Sequence, residues 1–256
     1  MQELKSRFEA QDKGHHSSIQ ACIRTQDLHL IGDGSHLTSF NMIGNFSFGN
    51  GDYDDSVVMW HKILVSLDAD VTHVTVHPTQ TQLQKLWQSL GRTVVLDESC
   101  TWSDGQVGGY CSEVFHGDLE LGNLVNPMGH SVDVGFGLER LVQVLEGRAR
   151  VDDTSLFSDG HPIAKDHLRT LALMRENGVR PGSKGQSYIC RQLVRRISTL
   201  VDGPTHCDDW IEEDRDLLRR RRLEMERYRG QFMDKPWTYW KSTFGWTKEE
   251  ILEFLA

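Results

Sequence analysis

The sequence predicts an α+β protein, and three observations carry the prediction. The first 150 residues mix strand-like alternation with helix-like spacing, and everything after Arg150 keeps only the helical period. The 256 residues are also long enough to bury a core without covalent staples, as one large domain or two small ones.

In chain order, Ile19 to Thr25 reads as a strand, Gly32-Asp33-Gly34 as a long turn, and Phe40 to Phe48 as a second strand. A helix follows over Tyr53 to Leu67, with Val57, Val58, Ile63, Leu64 and Leu67 available for a buried stripe. VTHVTVHP alternates as a strand, TQTQLQKLWQSLG sets Leu83, Leu86, Trp87 and Leu90 on one helical face, and TVVLD reads as a strand. This β-α-β unit, residues 70–98, reads as a small insertion. DLELGNLVN, a turn at Pro127-Met128-Gly129, and SVDVGFGLERLVQVLEG come next, the last as strand, Gly-x-Gly turn and helix. Helices then run to stops at Gly178 and Gly203, through a basic segment from Trp210 to Arg229, and into a final ILEFLA. The change of pattern divides the chain into domains 1–155 and 156–256.

Composition narrows the function classes. Five cysteines, with no CxxC pair and no Cys/His ladder, fit reduced thiols and predict no metal site. No run of about 18 apolar residues exists and the first residues are charged, so a soluble, cytoplasmic protein is expected, with no membrane partner. The formal net charge of -9 argues against nucleic-acid binding through bulk charge. Residues 180–229, however, hold twelve basic residues against nine acidic ones, net +3, leaving -12 for the rest. That asymmetry fits either a polyanion-facing surface or solvated helices with their own ion-pair partners.

Two segments hold residues that packing alone would not require. In CIRTQDLHLIGDGSHLTSFNMIGNFSFG, Arg24 sits where a strand pattern is otherwise apolar and needs a planar anionic partner. Phosphate would serve, and so would Asp27 or Asp33. Phe46 and Phe48 suit a core as readily as a base-stacking platform, and His15-His16 reads as a surface turn rather than a ligand pair. In SVDVGFGLERL, Asp133 lies in an apolar strand, glycines allow close backbone approach, and Arg140 opens a helix; the spacing is not the dinucleotide fingerprint. A buried carboxylate can hold an ammonium group and an arginine one turn on can hold phosphate. Together the segments suit activation of an amino acid by ATP.

QACIRTQD, SHLTSFNMIGNFSFG and VDVGFGLERL resemble motifs 2 and 3 of the class II aminoacyl-tRNA synthetase core in its alanyl-tRNA synthetase version. CSEVF and LGNLV match the intervening alanine-pocket segments, and DHLRTLAL with SYICRQLVRRIS resembles the start of the helical tRNA-recognition region. The resemblance implies an antiparallel class II sheet flanked by helices, then an all-helical domain. It implies a ligase that uses ATP and Mg2+ to make an aminoacyl adenylate, with no protein nucleophile or general base, and transfers the acyl group to tRNA. Carried over residue by residue, Arg24 and Arg140 are the catalytic cations, and Asp27, His36, Met42, Phe46 and Gly137 join them around ATP. Asp133 would bind the substrate ammonium, with Asn123, Val125 and Gly135 shaping a small side-chain pocket and Trp102 as its lid. Arg191, Arg195 and Arg196 would face the tRNA acceptor stem.

The departures from the pattern are specific. Motif 1, the editing domain and the dimerisation domain have no counterpart in this sequence, so a monomer is expected. A family Glu is Asn41, a family Trp is Gly122, and Gln106-Val107-Gly108-Gly109-Tyr110 replaces a Gly-Pro-Cys-Gly-Pro loop. The two residues that read the acceptor-stem pair become Gly185 and Ser242. Such changes fit a tRNA-charging enzyme for alanine or another small amino acid, an activating paralogue with a carrier thiol or small amine as acceptor, or a non-catalytic binding module.

Overall fold

The computed structural model describes residues 13–48, 53–103, 105–201, 203–246 and 248–256. The N-terminal segment and the Gly49 that closes the GNFSFG run lie outside them. The chain divides into two compact units, Met1–Asp166 and His167–Ala256. The division falls within a helix, Pro162–Glu176, rather than at the turn near 155 where the sequence pattern changes.

The first unit is built on an eight-stranded, mostly antiparallel sheet. Its strands are β1 (Gly14–Ile23), β2 (Ser39–Phe48), β3 (His73–Val76), β4 (Val94–Leu96), β5 (Thr101–Ser103), β6 (Gly108–His116), β7 (Leu119–Val125) and β8 (Val132–Gly137). The order is β1-β2-β8-β7-β6-β3-β4, with β5 paired to β6 outside that path. The 70–98 segment extends the sheet's edge: β3 pairs antiparallel with β6, and β4 joins β3 in parallel through helix α2 (Thr81–Ser89). A parallel pair needs such a crossover, because a tight turn cannot return the chain in the same direction.

One sheet face carries the core. Val132, Val134 and Phe136 of β8 alternate toward it and pack with Leu124, Val74, Val76, helix α1 (Tyr53–Ser66) and α2. The buried stripe of α1 is Ser56, Val57, Trp60 and Leu64. Leu67, expected in the stripe, is exposed beyond the helix end, and Trp60, unremarked in the sequence, replaces it as the main anchor. Its ring stacks on Phe136 at 4.5 Å and its Nε1 donates to Asn45 Oδ1 at 2.6 Å, which satisfies both polar groups in the interior. Trp87 of α2, as expected, is buried with Leu83, and its Nε1 donates to Ser112.

Three expectations are corrected. β1 is a longer edge strand than expected and contains His15 and His16, which are therefore not in a turn. Arg24 lies one residue past its end. Gly135 and Gly137 belong to β8 itself, and helix α3 (Leu138–Leu145) starts directly after Gly137, so Gly-x-Gly forms strand rather than turn.

The second unit is helical: the helix from Pro162 (α4) enters it, followed by α5 (Gly185–Ile197), α6 (Asp208–Tyr228), α7 (Trp237–Phe244) and α8 (Lys248–Leu255). Gly178 adopts positive φ just past α4, as its reading as a stop requires, whereas α5 ends at Ile197, six residues before the expected stop at Gly203. Cys190, Leu193, Val194 and Ile197 form the buried face of α5. Met225, Phe232, Trp240, Trp246 and Ile251 make a second cluster in which Phe244 and Trp246 stack at 4.4 Å. Among the described residues no helix is long and apolar enough to cross a membrane.

Gly44 shows how tightly β2 and β8 approach, because a Cβ there would stand 1.7 Å from the Val134 carbonyl oxygen. Gly44→Ala is expected to lower unfolding stability by at least about 3 kcal/mol, read from the urea midpoint.

Candidate active site

Strand register brings seven of the twelve residues expected around ATP and the amino acid onto the sheet face opposite the core. Directly paired residues of antiparallel strands share a face. One row runs His16, Phe46, Asp133, Val125 and Cys111 across β1, β2, β8, β7 and β6. The next runs Ser18, Gly44, Gly135, Asn123, Glu113 and Thr75, reaching β3. A third, shorter row holds Gln20, Met42 and Gly137. The glycines leave the middle of this face low, and the end of Met42 fills part of the space: a Cβ at Gly135 would meet its Cε at 2.6 Å.

Asp133 is the chemically exceptional residue on this face. It is 8% exposed, and its carboxylate makes no hydrogen bond or ion pair with the described residues. Burial raises its pKa from 3.8 to about 6. A buried carboxylate without a partner costs free energy unless something cationic completes it.

The residues expected around ATP are partly neutralised. Arg24, exposed, places Nε 2.7 Å from Asp27 Oδ2, so Asp27 serves as the arginine's carboxylate partner. His36 Nδ1 lies 2.6 Å from Asp33 Oδ2. Burial works to raise the Asp33 pKa, but the backbone N–H groups of Ser35 and His36 and the His36 ring outweigh it and hold the carboxyl below its usual range. Arg140 Nη1 donates to the Glu120 carbonyl oxygen at 2.7 Å and stands 3.7 Å from its carboxylate. Both arginines flank the same end of the sheet. Arg24 follows Ile23, which faces Ser39, and Arg140 lies three residues past Gly137, which faces Met42. Phe46 is on the site face and is buried there.

Two sequence departures acquire physical reasons. The Asn41 backbone N–H and side-chain Nδ2 both donate to the buried Glu139 carboxylate, at 2.9 and 3.0 Å. A carboxylate at position 41 would face Glu139 directly. Gly122 pairs with Phe136 on the core face, and a Cβ there would sit 2.4 Å from the Gly135 oxygen. It therefore does not line the pocket. Glu139 itself passed unnoticed in the sequence; its signal was an acidic residue in the first turn of a helix that directly follows a strand.

Trp102 pairs with Gly109 in the β5–β6 hairpin and packs against Cys100, Cys111 and Val125. The thiols of Cys100 and Cys111 share a hydrogen bond that lowers the pKa of Cys100 and raises that of Cys111. Sequence spacing did not suggest this pair, since Cys100 precedes β5 and Cys111 lies in β6.

In the helical unit the three expected RNA-facing arginines differ. Arg191 lies 5.6 Å from the Tyr188 ring centroid. Arg195 grips the buried Asp214 with Nε at 3.2 Å and Nη2 at 3.1 Å, so it is a structural pair. Arg196 also has interactions within the protein. In the basic run, Arg219 pairs with Asp216 and Arg221 with Glu250. Of the two readings of this charge, helices with their own ion partners accounts for these contacts.

Parts of this chain are similar in sequence to known proteins. Residues 1–127 match the family model for tRNA synthetases class II (A). An alanine–tRNA ligase of Desulfitobacterium hafniense is 30% identical over 244 residues, covering 70% of this chain, and one from Tropheryma whipplei is 32% identical over 257 residues, covering 76%. The chain is alanyl-tRNA synthetase-like. It spans 28% and 29% of the length of those two relatives. Among solved structures, a pyrrolysyl-tRNA synthetase from D. hafniense aligns at 20% identity and a TM-score of 0.29, covering 63% of this synthetase-like chain and 50% of its own.

The raised pKa of Asp133 gives a signed prediction. A carboxyl that holds its proton more tightly when folded adds stability below the unfolded value near 3.8 and loses it as pH rises through about 6. Asp133→Asn is therefore expected to be more stable than the parent at pH 7.5, by up to about 3 kcal/mol, and equal to it below pH 4 in urea unfolding. For the helical unit, Arg195→Ala should cost about 1 to 3 kcal/mol by stranding Asp214, measured the same way.

Proposed function

We propose that this chain activates alanine, or another small amino acid, with ATP as an aminoacyl adenylate and passes the acyl group to the 3′ end of a tRNA. The observation that carries the reading is the buried carboxylate of Asp133, without a partner among the described residues, in a row with Val125 and beside the row of Gly135 and Asn123. An α-ammonium group supplies the missing charge, and the low strip of glycines leaves room for a short side chain.

The chemistry brings a substrate carboxylate to the α-phosphorus of ATP, two anions in line. Fixed cations must offset the charge that develops there. Arg24 and Arg140, at one end of the site face, are suited to this once each exchanges its protein acceptor for phosphate. Magnesium would enter with the nucleotide and would neutralise phosphate charge. Asp133 orients the amino acid through its ammonium group, and no side chain needs to transfer a proton.

A second reading keeps adenylation but changes the acceptor to a carrier thiol or small amine. It is favoured by the Arg195–Asp214 pair and by the local partners of Arg219 and Arg221, which leave the helical unit less free cationic charge for RNA.

The deciding experiment is amino-acid-dependent ATP–pyrophosphate exchange across all twenty amino acids, without tRNA. A signal with alanine or one other small amino acid is expected. Arg24→Ala and Arg140→Ala should each lower it by two to three orders of magnitude, about 3 to 4 kcal/mol. Asp133→Ala should raise the amino-acid KM most. Normal exchange in these variants would refute the site, and a charging assay with total tRNA separates the two acceptors.

A further inference from the structure

We propose that Cys100, Cys111 and Glu113 form a binding site for a zinc-class metal ion beside the amino-acid pocket. The ligand atoms of these three residues, two sulfurs and one carboxylate oxygen, all lie within 4.8 Å of one another. A tetrahedral zinc with Zn–S bonds of about 2.3 Å holds two sulfurs about 3.8 Å apart, so small side-chain rotations close the set.

The cluster differs from a pair of cysteines used as small apolar filler. Cys100 and Cys111 are fully buried, yet Glu113 places a carboxylate among them. Among the described residues Glu113 has no ion-pair partner, and its hydrogen bond comes from a neutral hydroxyl, Thr75 Oγ1 at 3.2 Å. A half-buried carboxylate set beside two buried thiols with no cation among them is disfavoured, and a divalent ion that replaces the thiol protons offsets that cost. Thr75 is placed to position the ligands: its hydroxyl is 3.0 Å from Cys100 Sγ while it donates to Glu113. The scaffold is rigid, since Cys111 and Glu113 are alternate residues of β6, braced on the opposite face by Ser112 accepting from Trp87.

Three protein ligands leave a fourth position for water or substrate. Cys111 pairs with Val125 and Glu113 with Asn123, so the site borders the residues that shape the proposed side-chain pocket. Sequence spacing predicted no metal because it looks for ligands close together in sequence; here Cys100 comes from the turn before β5 and joins Cys111 and Glu113 only through the β5–β6 hairpin.

The test uses the full chain, reduced and with any affinity tag removed, and does not depend on its activity. Titration with cobalt(II) is expected to give one bound ion per chain, with a thiolate-to-cobalt charge-transfer band and the intense visible bands of tetrahedral coordination, both displaced by zinc. Cys100→Ser and Cys111→Ser should each remove the charge-transfer intensity of one thiolate and weaken binding. Thr75→Val should weaken it about 10- to 100-fold with the spectrum unchanged. Cys190→Ser, in the other unit, should change nothing. Circular dichroism of each variant reports whether the fold is kept. A folded, reduced parent protein that binds no cobalt or zinc overturns the proposal. So does full binding by a folded Cys111→Ser variant, or a disulfide between Cys100 and Cys111 that persists when zinc is supplied under reducing conditions.

Discussion

The close backbone approach of β2, β8 and β7 is the constraint on which the rest depends. Gly44 stands against the Val134 carbonyl and Gly122 against that of Gly135, at distances that admit no side chain. This packing fixes the register that places Phe46, Asp133 and Val125 in one row and Gly44, Gly135 and Asn123 in the next. It also fixes Asp133 on the face opposite the core, since the strand cannot turn that carboxylate over without reversing its core face. The core on the other side, with Trp60 against Phe136, holds that choice in place.

Against this rigid floor the charged groups at the sheet's end are held locally. Arg24 rests on Asp27, Arg140 on Glu120, and His36 on Asp33. Exposed pairs of this kind contribute little to stability, of the order of 1 kcal/mol or less, so opening them costs little. Asp133 is the opposite case: its charge is disfavoured by burial, and the protein retains it at the expense of stability. Such a conflict between local stability and composition is what a binding site produces.

In the helical unit charge has the reverse arrangement. Asp214 is buried and Arg195 completes it, a pairing that orders the packing of α5 against α6. The concentration of arginines in 180–229 therefore overstates the free cationic surface, because several of them are matched to acids one turn away or on another helix.

By itself the sequence determined the element types, the α+β architecture and the segments that bear the chemistry. These are local properties, carried by period, glycine stops and motif spacing: the Trp87 face of α2, the parallel crossover through it, and Asp133 in an apolar strand were all legible there. The tertiary structure decided what depends on pairing across the chain. Whether Arg24 lies in the strand or beyond it, whether Gly122 faces pocket or core, and whether Arg195 is free or bound to Asp214 turn on register and on partners distant in sequence. The same holds for Cys100, Cys111 and Glu113, which meet because a hairpin folds one segment over another. Side-chain partnership is a property of distance in space, and a linear pattern encodes it only where neighbours in space are also neighbours in sequence.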